Sequence, residues 1–453
     1  MSPVKNIIEL CDITLMLREK IHNLDTNSDK NLFRIEIDIQ EYSPLDWLLG
    51  QHHPLQFYWE SRDGKFEVAW IGSTKKFFYP QSFDLKTLHN EIQDLITQDS
   101  SLFLRVYGGL AFSNRTSHGS LWNPFGQGSF VLPRLELIRN DDQYLCAINI
   151  LNSSQDISLA LEELSRVHFK PGSSDKIYPE IISRTDLPDK PTWKEQIEEA
   201  LLAFQEKRIE KIVLARKSTF KFANKIPPLL LLKRLKQISA QCYYFYFQPC
   251  PHTAFLGASP EQLYKRDHQT MWTEALAGTR PRGKSAKTDQ MWSDELLTCD
   301  KDIREHGFVI HGIREILSTI SSKIEEDPQL NILKLTGGQH LLYRFKSLCH
   351  PNVSDAEILM ALSPTPAVAG YPTQNALSMI EEIENFDRGW YAGPIGWLGH
   401  NQAEFAVAIR SGLMCDNQLD LFSGAGIVKG SVPDAEWDEI EAKIGSFTKA
   451  FLI

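Results

Sequence analysis

"EKIVLARKSTFKF", Glu210–Phe222, is the stretch on which the reading of the fold turns. Ile212, Val213, Leu214 and Ala215 form the short apolar, β-branched run of a core strand, yet Lys211 stands at its mouth, where packing alone does not favour a long cation. Just upstream, "TWKEQIEEALLAFQEKRIE" spaces its apolar residues as a helix does, with Thr192 as a candidate N-cap. Downstream, "PPLLLLKRLKQIS" reads as a helix and "CYYFYFQ" and "TAFLGAS" as strands. The middle of the chain, "SDELLTCDKDIREHGFVIHGIREILSTISSKI", keeps apolar positions three and four apart and reads as a helix. "FAVAIRSGLM" and "QLDLFSGAGIVKG" read as a strand pair, and "PDAEWDEIEAKIGSFTKAFL" as a closing helix opened by Pro433 and acidic residues.

The first 170 residues or so combine alternating runs such as "FRIEIDI" and "KFEVAWIG" with the turn-rich "YGGLAFSNRTSHGSLWNPFGQG", a pattern of antiparallel strands around some helix. "PGSSDKIYPEIISRTDLPDKP", residues 171–191, concentrates proline, serine and charge like a connection between lobes. It divides the chain into an α+β N-terminal lobe over 1–185 and a second lobe over 186–453.

With 453 residues, 42% of them hydrophobic, the chain can bury a large core. A net charge of −10 argues against a broad surface for nucleic acid or anionic membrane, so an anionic ligand would need a local basic pocket. The seven cysteines, Cys11, Cys146, Cys242, Cys250, Cys299, Cys349 and Cys415, lack CxxC spacing and suggest neither a disulfide framework nor a zinc site. "MSPVKNIIELCDITLMLREK" lacks the order of a signal peptide, and no apolar run approaches the ~18 residues of a membrane span, so a cytoplasmic protein is expected.

Asp302 and Glu305 are three apart on the middle helix, and Glu436, Glu439 and Lys443 share one face of the last. Two such helices can aim carboxylates at one Mg²⁺, although the pattern by itself favours a solvated acidic face. "GASPEQL" sets Glu261 behind a Ser-Pro turn at the edge of a strand. "TEALAGTRPRG" joins Glu274 to a Gly278-Thr279 turn, and "FSGAGIVKGS" places Gly424 and Gly426 near Lys429; either could bind an anion, although each taken singly reads more often as a hairpin turn. Gly424, Gly426 and Gly430 do not match a dinucleotide fingerprint, because the third glycine comes one residue late. Arg410 ends an apolar strand, where it suits either a salt bridge or a bound carboxylate. His52, His53, His306, His311 and His340 show no metal spacing and receive no catalytic role.

Taken together, "KIVLARK", "GASPEQL", "TEALAGTRPRG", "SPTPAVAGYP", "WYAGPIGW", "FAVAIRSG" and "GAGIVKGSVPDAEWDEIEAK" resemble the motifs of the chorismate-utilising enzymes in that family's order. Within it the chain looks most like the isochorismate synthases of the menaquinone type, and "PLQFYWESRDG" and "FVLPRLELIRN" extend the likeness before residue 171. The resemblance implies an α+β fold of stacked, mostly antiparallel sheets with helices outside. It implies an isomerase in which Lys211 is general base for a water attacking C2 of chorismate and Glu261 is general acid for the departing C4 hydroxyl. It further implies Mg²⁺ on Glu305 and Glu439 with Asp302 and Glu436 in or near the shell, and substrate contacts from Tyr391, Arg410, Lys443, Gly278, Thr279, Gly424 and Gly426.

Glu274 is expected to shape the pocket. Lys211 must be neutral to act as a base, whereas a free lysine has a pKa of about 10.4, so its site must depress that value. Ammonia-using anthranilate and aminodeoxychorismate synthases typically lack a lysine at this place, and the nucleophilic lysine of the latter is here Ala277. The "GTRPRG" segment is nevertheless common in anthranilate synthases. Salicylate synthase shares the lysine, the glutamate and the metal site, and adds pyruvate elimination. A non-catalytic chorismate-binding subunit would show decay at acid, base or metal carboxylates, which are all present. No glutaminase partner is expected, and the chain is expected to be a monomer or weak homodimer.

Overall fold

Lys211–Phe222 is a strand with its apolar residues buried, as the sequence predicts. Along one side it pairs with Gln418–Val428; along the other it pairs with Ile181–Leu187 and the short Gly370–Tyr371. These coordinates, a computed structural model, describe residues 12–97, 101–113, 121–172 and 179–452. Cys11, the leading residues of the chain and the centre of "YGGLAFSNRTSHGSLWNPFGQG" lie outside the described residues.

The described residues form 20 strands in one hydrogen-bonded network, antiparallel at every pairing, with 11 helices packed on it. The fold is α+β, as expected. Pairing runs across residue 185: Gln56–Glu60 lies beside Tyr243–Cys250, and Arg105–Leu110 beside Pro394–Gly399. The two halves also share apolar contacts, with the Phe125 ring 5.4 Å from Trp390 and 5.8 Å from Phe247.

Four local readings change. The helix upstream of Lys211 runs Lys190–Gln205 and its N-cap is Asp189, which accepts the Thr192 amide; Thr192 itself lies in the first turn. The stretch 171–191 contains the strand Ile181–Leu187, whose exposed polar side chains gave it the composition of a connection. The middle helix is two, Ala286–Thr298 and Asp300–Ile320, because Cys299 between them is extended (φ −75°, ψ 111°). Its last residues, "SSKI", belong to strand Ser321–Glu326, which pairs with Gln339–Cys349. "FAVAIRSGLM" is also divided, into Gln402–Val407 and Ser411–Cys415, with Arg410 between them at φ 51°. Apolar periodicity is blind to such single-residue breaks.

The six described cysteines are free thiols. No helix among the described residues is long and apolar enough to cross a membrane.

Candidate active site

A solvent-open cleft lies between the strands Lys211–Phe222 and Gln418–Val428 and the helices Asp300–Ile320 and Pro433–Leu452. Gly424 and Gly426 line it. A Cβ on Gly426 would stand 2.0 Å from Glu305 Oε1 and 3.2 Å from Lys211 Cε, so only glycine lets that carboxylate and that lysine approach the strand. Lys429, beyond the end of the strand, is exposed and outside the lining.

Lys211 lies behind the cleft surface and is fully buried. Its Nζ is 3.5 Å from Glu305 Oε1, an ion-pair distance without hydrogen-bond geometry, and it has no hydrogen-bond partner. Burial drives its pKa down, against the opposing pull of Glu305. Glu261 lines the cleft and is 3% exposed. Burial, reinforced by the carboxylate of Glu274, pushes its pKa up to about 8, so it holds its proton at neutral pH. Glu274 stands behind it, bonded at 2.5 and 2.8 Å by the guanidinium of Arg62.

The helix wall carries the other carboxylates, each met by a lysine. Glu439 accepts from Lys443 Nζ at 2.6 Å, and Glu436 from Lys301 Nζ at 2.5 Å. Burial raises Glu305, with Glu439 and Glu436 adding to the rise while Lys211 opposes it; burial likewise raises Glu436 against Lys301. Glu439 is also penalised by burial, but Lys443 outweighs this and holds its pKa below the usual range. Three carboxylates from two helices that feel one another's charge are a hard-oxygen donor set suited to Mg²⁺, and the lysines now supply the compensating charge. As placed, no three acidic, histidine or cysteine side chains among the described residues converge tightly enough to hold a metal. Asp302, the remaining carboxylate expected in or near the shell, accepts from Arg280 at 2.7 Å.

At the far end the lining turns cationic. Arg410 donates Nη1 to Ser446 Oγ at 3.2 Å and, among the described residues, faces no carboxylate within ion-pair distance; burial lowers its pKa. Its positive φ marks a strained backbone held in place by the surrounding strands. Tyr391 stacks on Phe422 at 5.3 Å with its phenol toward Gly424, and Lys443 also donates to the Gly424 carbonyl at 2.9 Å. Gly278, at φ 68°, and Thr279 complete this end.

The sequence offered no signal for two further features. His340 lines the cleft with Nδ1 3.0 Å from the Gly278 carbonyl and 3.2 Å from Thr279 Oγ1. A carbonyl only accepts, so Nδ1 carries the hydrogen and the buried Nε2, which has no partner, keeps a free lone pair. Burial lowers its pKa to about 3, so the ring is neutral. Arg62 is the second, because nothing near "ESRDG" announces that it reaches Glu274.

Residues 19–452 match the profile of a family described as chorismate binding enzyme. The isochorismate synthase MenF of Pasteurella multocida is 35% identical over 408 residues, 89% of each chain. The chloroplastic isochorismate synthase of Catharanthus roseus is 34% identical over 395 residues, covering 84% of this chain and 68% of the relative. Among solved structures, the menaquinone-specific isochorismate synthase MenF of Escherichia coli superposes with a TM-score of 0.86 at 29% identity, over 97% of this chain and all of that one. Component I of anthranilate synthase from Streptococcus pneumoniae shares the fold, with a TM-score of 0.71 at 19% identity over 85% of this chain and 92% of that one.

Proposed function

This chain belongs to the chorismate-binding enzyme family, and on that premise we propose that it acts as an isochorismate synthase of the menaquinone type. The single observation that carries the chemistry is the pairing, on one sheet, of a buried lysine kept from hydrogen bonds with a buried carboxyl that holds its proton to about pH 8. Water is a poor nucleophile and hydroxide a poor leaving group, so a reaction that exchanges one for the other needs a base and an acid, each commonly worth ~10²–10⁴-fold.

Neutral Lys211 takes a proton from the water whose oxygen bonds C2 of chorismate. The ring double bonds shift, the C4–O bond breaks, and Glu261 gives its proton to the departing hydroxyl, which leaves as water. No electrons are gained or lost, and the enzyme is an isomerase. Arg410, Tyr391 and Lys443 bind the substrate carboxylates together with the backbone at Gly278, Thr279, Gly424 and Gly426. Glu305, Glu436 and Glu439 would hold Mg²⁺, which when bound supplies positive charge for the ring carboxylate. Because water is the nucleophile, no glutaminase partner is required. We place the enzyme in the cytoplasm as a monomer or weak homodimer.

The test mixes purified protein with chorismate and MgCl₂ and resolves the products by chromatography. Isochorismate alone is the expected outcome. Salicylate with pyruvate, or anthranilate formed only with ammonium, would overturn the reading.

A further inference from the structure

Glu261 occupies the turn between strands Thr253–Ser259 and Gln262–Asp267, and both of its chain neighbours are held by one ion pair from behind the cleft. Arg62, in the turn after strand Gln56–Glu60, donates Nη1 to the Pro260 carbonyl at 2.7 Å as well as forking onto Glu274. Glu274 in turn accepts the Gln262 amide at 3.0 Å. The carbonyl before Glu261 and the N–H after it are therefore fixed by the two halves of a single pair. Glu261's own amide donates to Ser259 Oγ at 3.2 Å and its carbonyl accepts from Val407 at 3.1 Å, which leaves its carboxyl to face the cleft. Arg62 is 212 positions from Glu274 in sequence, so a side chain of the N-terminal half reaches the turn that carries Glu261.

We propose that Arg62 is a positioning residue for the reaction: through Glu274 and Pro260 it holds the turn that aims Glu261 and balances the charge behind it. This rests on the reading of Glu261 as the acid. The charged and titratable groups facing Glu261 are Glu274, Lys211, Arg62 and the phenol of Tyr391. The carboxylate of Glu274 favours the protonated acid, whereas Lys211 and Arg62 oppose it. Arginine suits the place because its planar fork bonds both Glu274 oxygens and still reaches a carbonyl, which lysine cannot do.

The experiment is a pH profile of kcat and kcat/KM for chorismate with MgCl₂ in R62M, E274Q, R62K, the double variant R62M/E274Q and E261Q. R62M leaves the Glu274 charge unopposed, so the high-pH limb moves up by about one unit; E274Q removes that charge and moves the limb down by about as much. In both, kcat falls about tenfold or more through misplacement of the acid while KM stays close to normal. The double variant returns the limb toward the parent, and R62K restores the limb better than it restores kcat. Loss of activity without displacement of the limb, or displacement in the same direction in R62M and E274Q, would overturn the positioning role. Should R62M fail to fold, judged by its melting curve, R62Q, which also removes the charge but keeps an amide donor for the Pro260 carbonyl, carries the same opposed readout against E274Q. E261Q separates the two layers: retained turnover there overturns the acid assignment and the proposal with it, whereas lost turnover with unmoved limbs in the other variants overturns the proposal alone.

Discussion

The sheet wall and the helix wall of the cleft use the same residue types to opposite ends. On the sheet wall, Lys211 is buried with Glu305 at ion-pair distance but no hydrogen bond, Glu261 is buried without an ion pair among the described residues, and both pKa values are driven away from their ordinary ranges. On the helix wall, Glu439 and Glu436 are bonded by Lys443 and Lys301 and remain charge-neutralised pairs. A lysine or glutamate that is desolvated and unpaired is poised to exchange a proton; one that is paired is poised to exchange its partner for another ion. Environment, not residue identity, separates proton transfer from ion binding here.

The comparison breaks most readily at Lys211. K211Q should lower turnover by ~10²–10⁴-fold while leaving chorismate binding measurable by calorimetry, and near-normal turnover would remove Lys211 from the mechanism. Next is the pH dependence of the native enzyme. Glu261 must be protonated, so kcat/KM should fall as pH rises through about 8, the value to which burial and Glu274 push its carboxyl. Lys211 must be neutral and its pKa lies below the ordinary lysine value, so activity should rise with pH on the acid side; a profile still rising above pH 9 would contradict the assignment of the acid.

On the helix wall, E439Q should leave the maximal rate within about tenfold and raise the MgCl₂ concentration for half-maximal activity by at least as much; an unchanged metal titration rejects Glu439 as a ligand. The smallest effect is expected from K301M. Freeing Glu436 of its lysine should lower the MgCl₂ requirement by a few-fold, and a higher requirement would mean that Lys301 supports the site instead of competing for it.

Motif chemistry was more legible than backbone detail. The strand at Lys211, the turn at Glu261 and the last helix with Glu436, Glu439 and Lys443 were readable, because short apolar runs, Ser-Pro turns and i, i+3, i+7 spacing are local signals. The cap at Asp189, the break at Cys299 and the positive φ of Arg410 were not, since each is a one-residue departure from a pattern that otherwise continues. Asp302 shows the same limit in side-chain terms: its spacing from Glu305 placed both on one helix face, but Arg280, arriving from a strand, claimed it.

By itself, the sequence determined the residue types, their order and the local elements that carry them, which suffices to place a lysine at a strand mouth, a glutamate behind a turn and carboxylates on two helices, while the roles expected of them came from the family resemblance. Only the tertiary structure decided which charges lose their water and which find partners. Burial lowers the pKa of Lys211 against the pull of Glu305, burial and Glu274 raise that of Glu261, and Arg62 reaches Glu274 from the other half of the chain. Desolvation and long-range pairing depend on what packs against a group, and no local pattern encodes that.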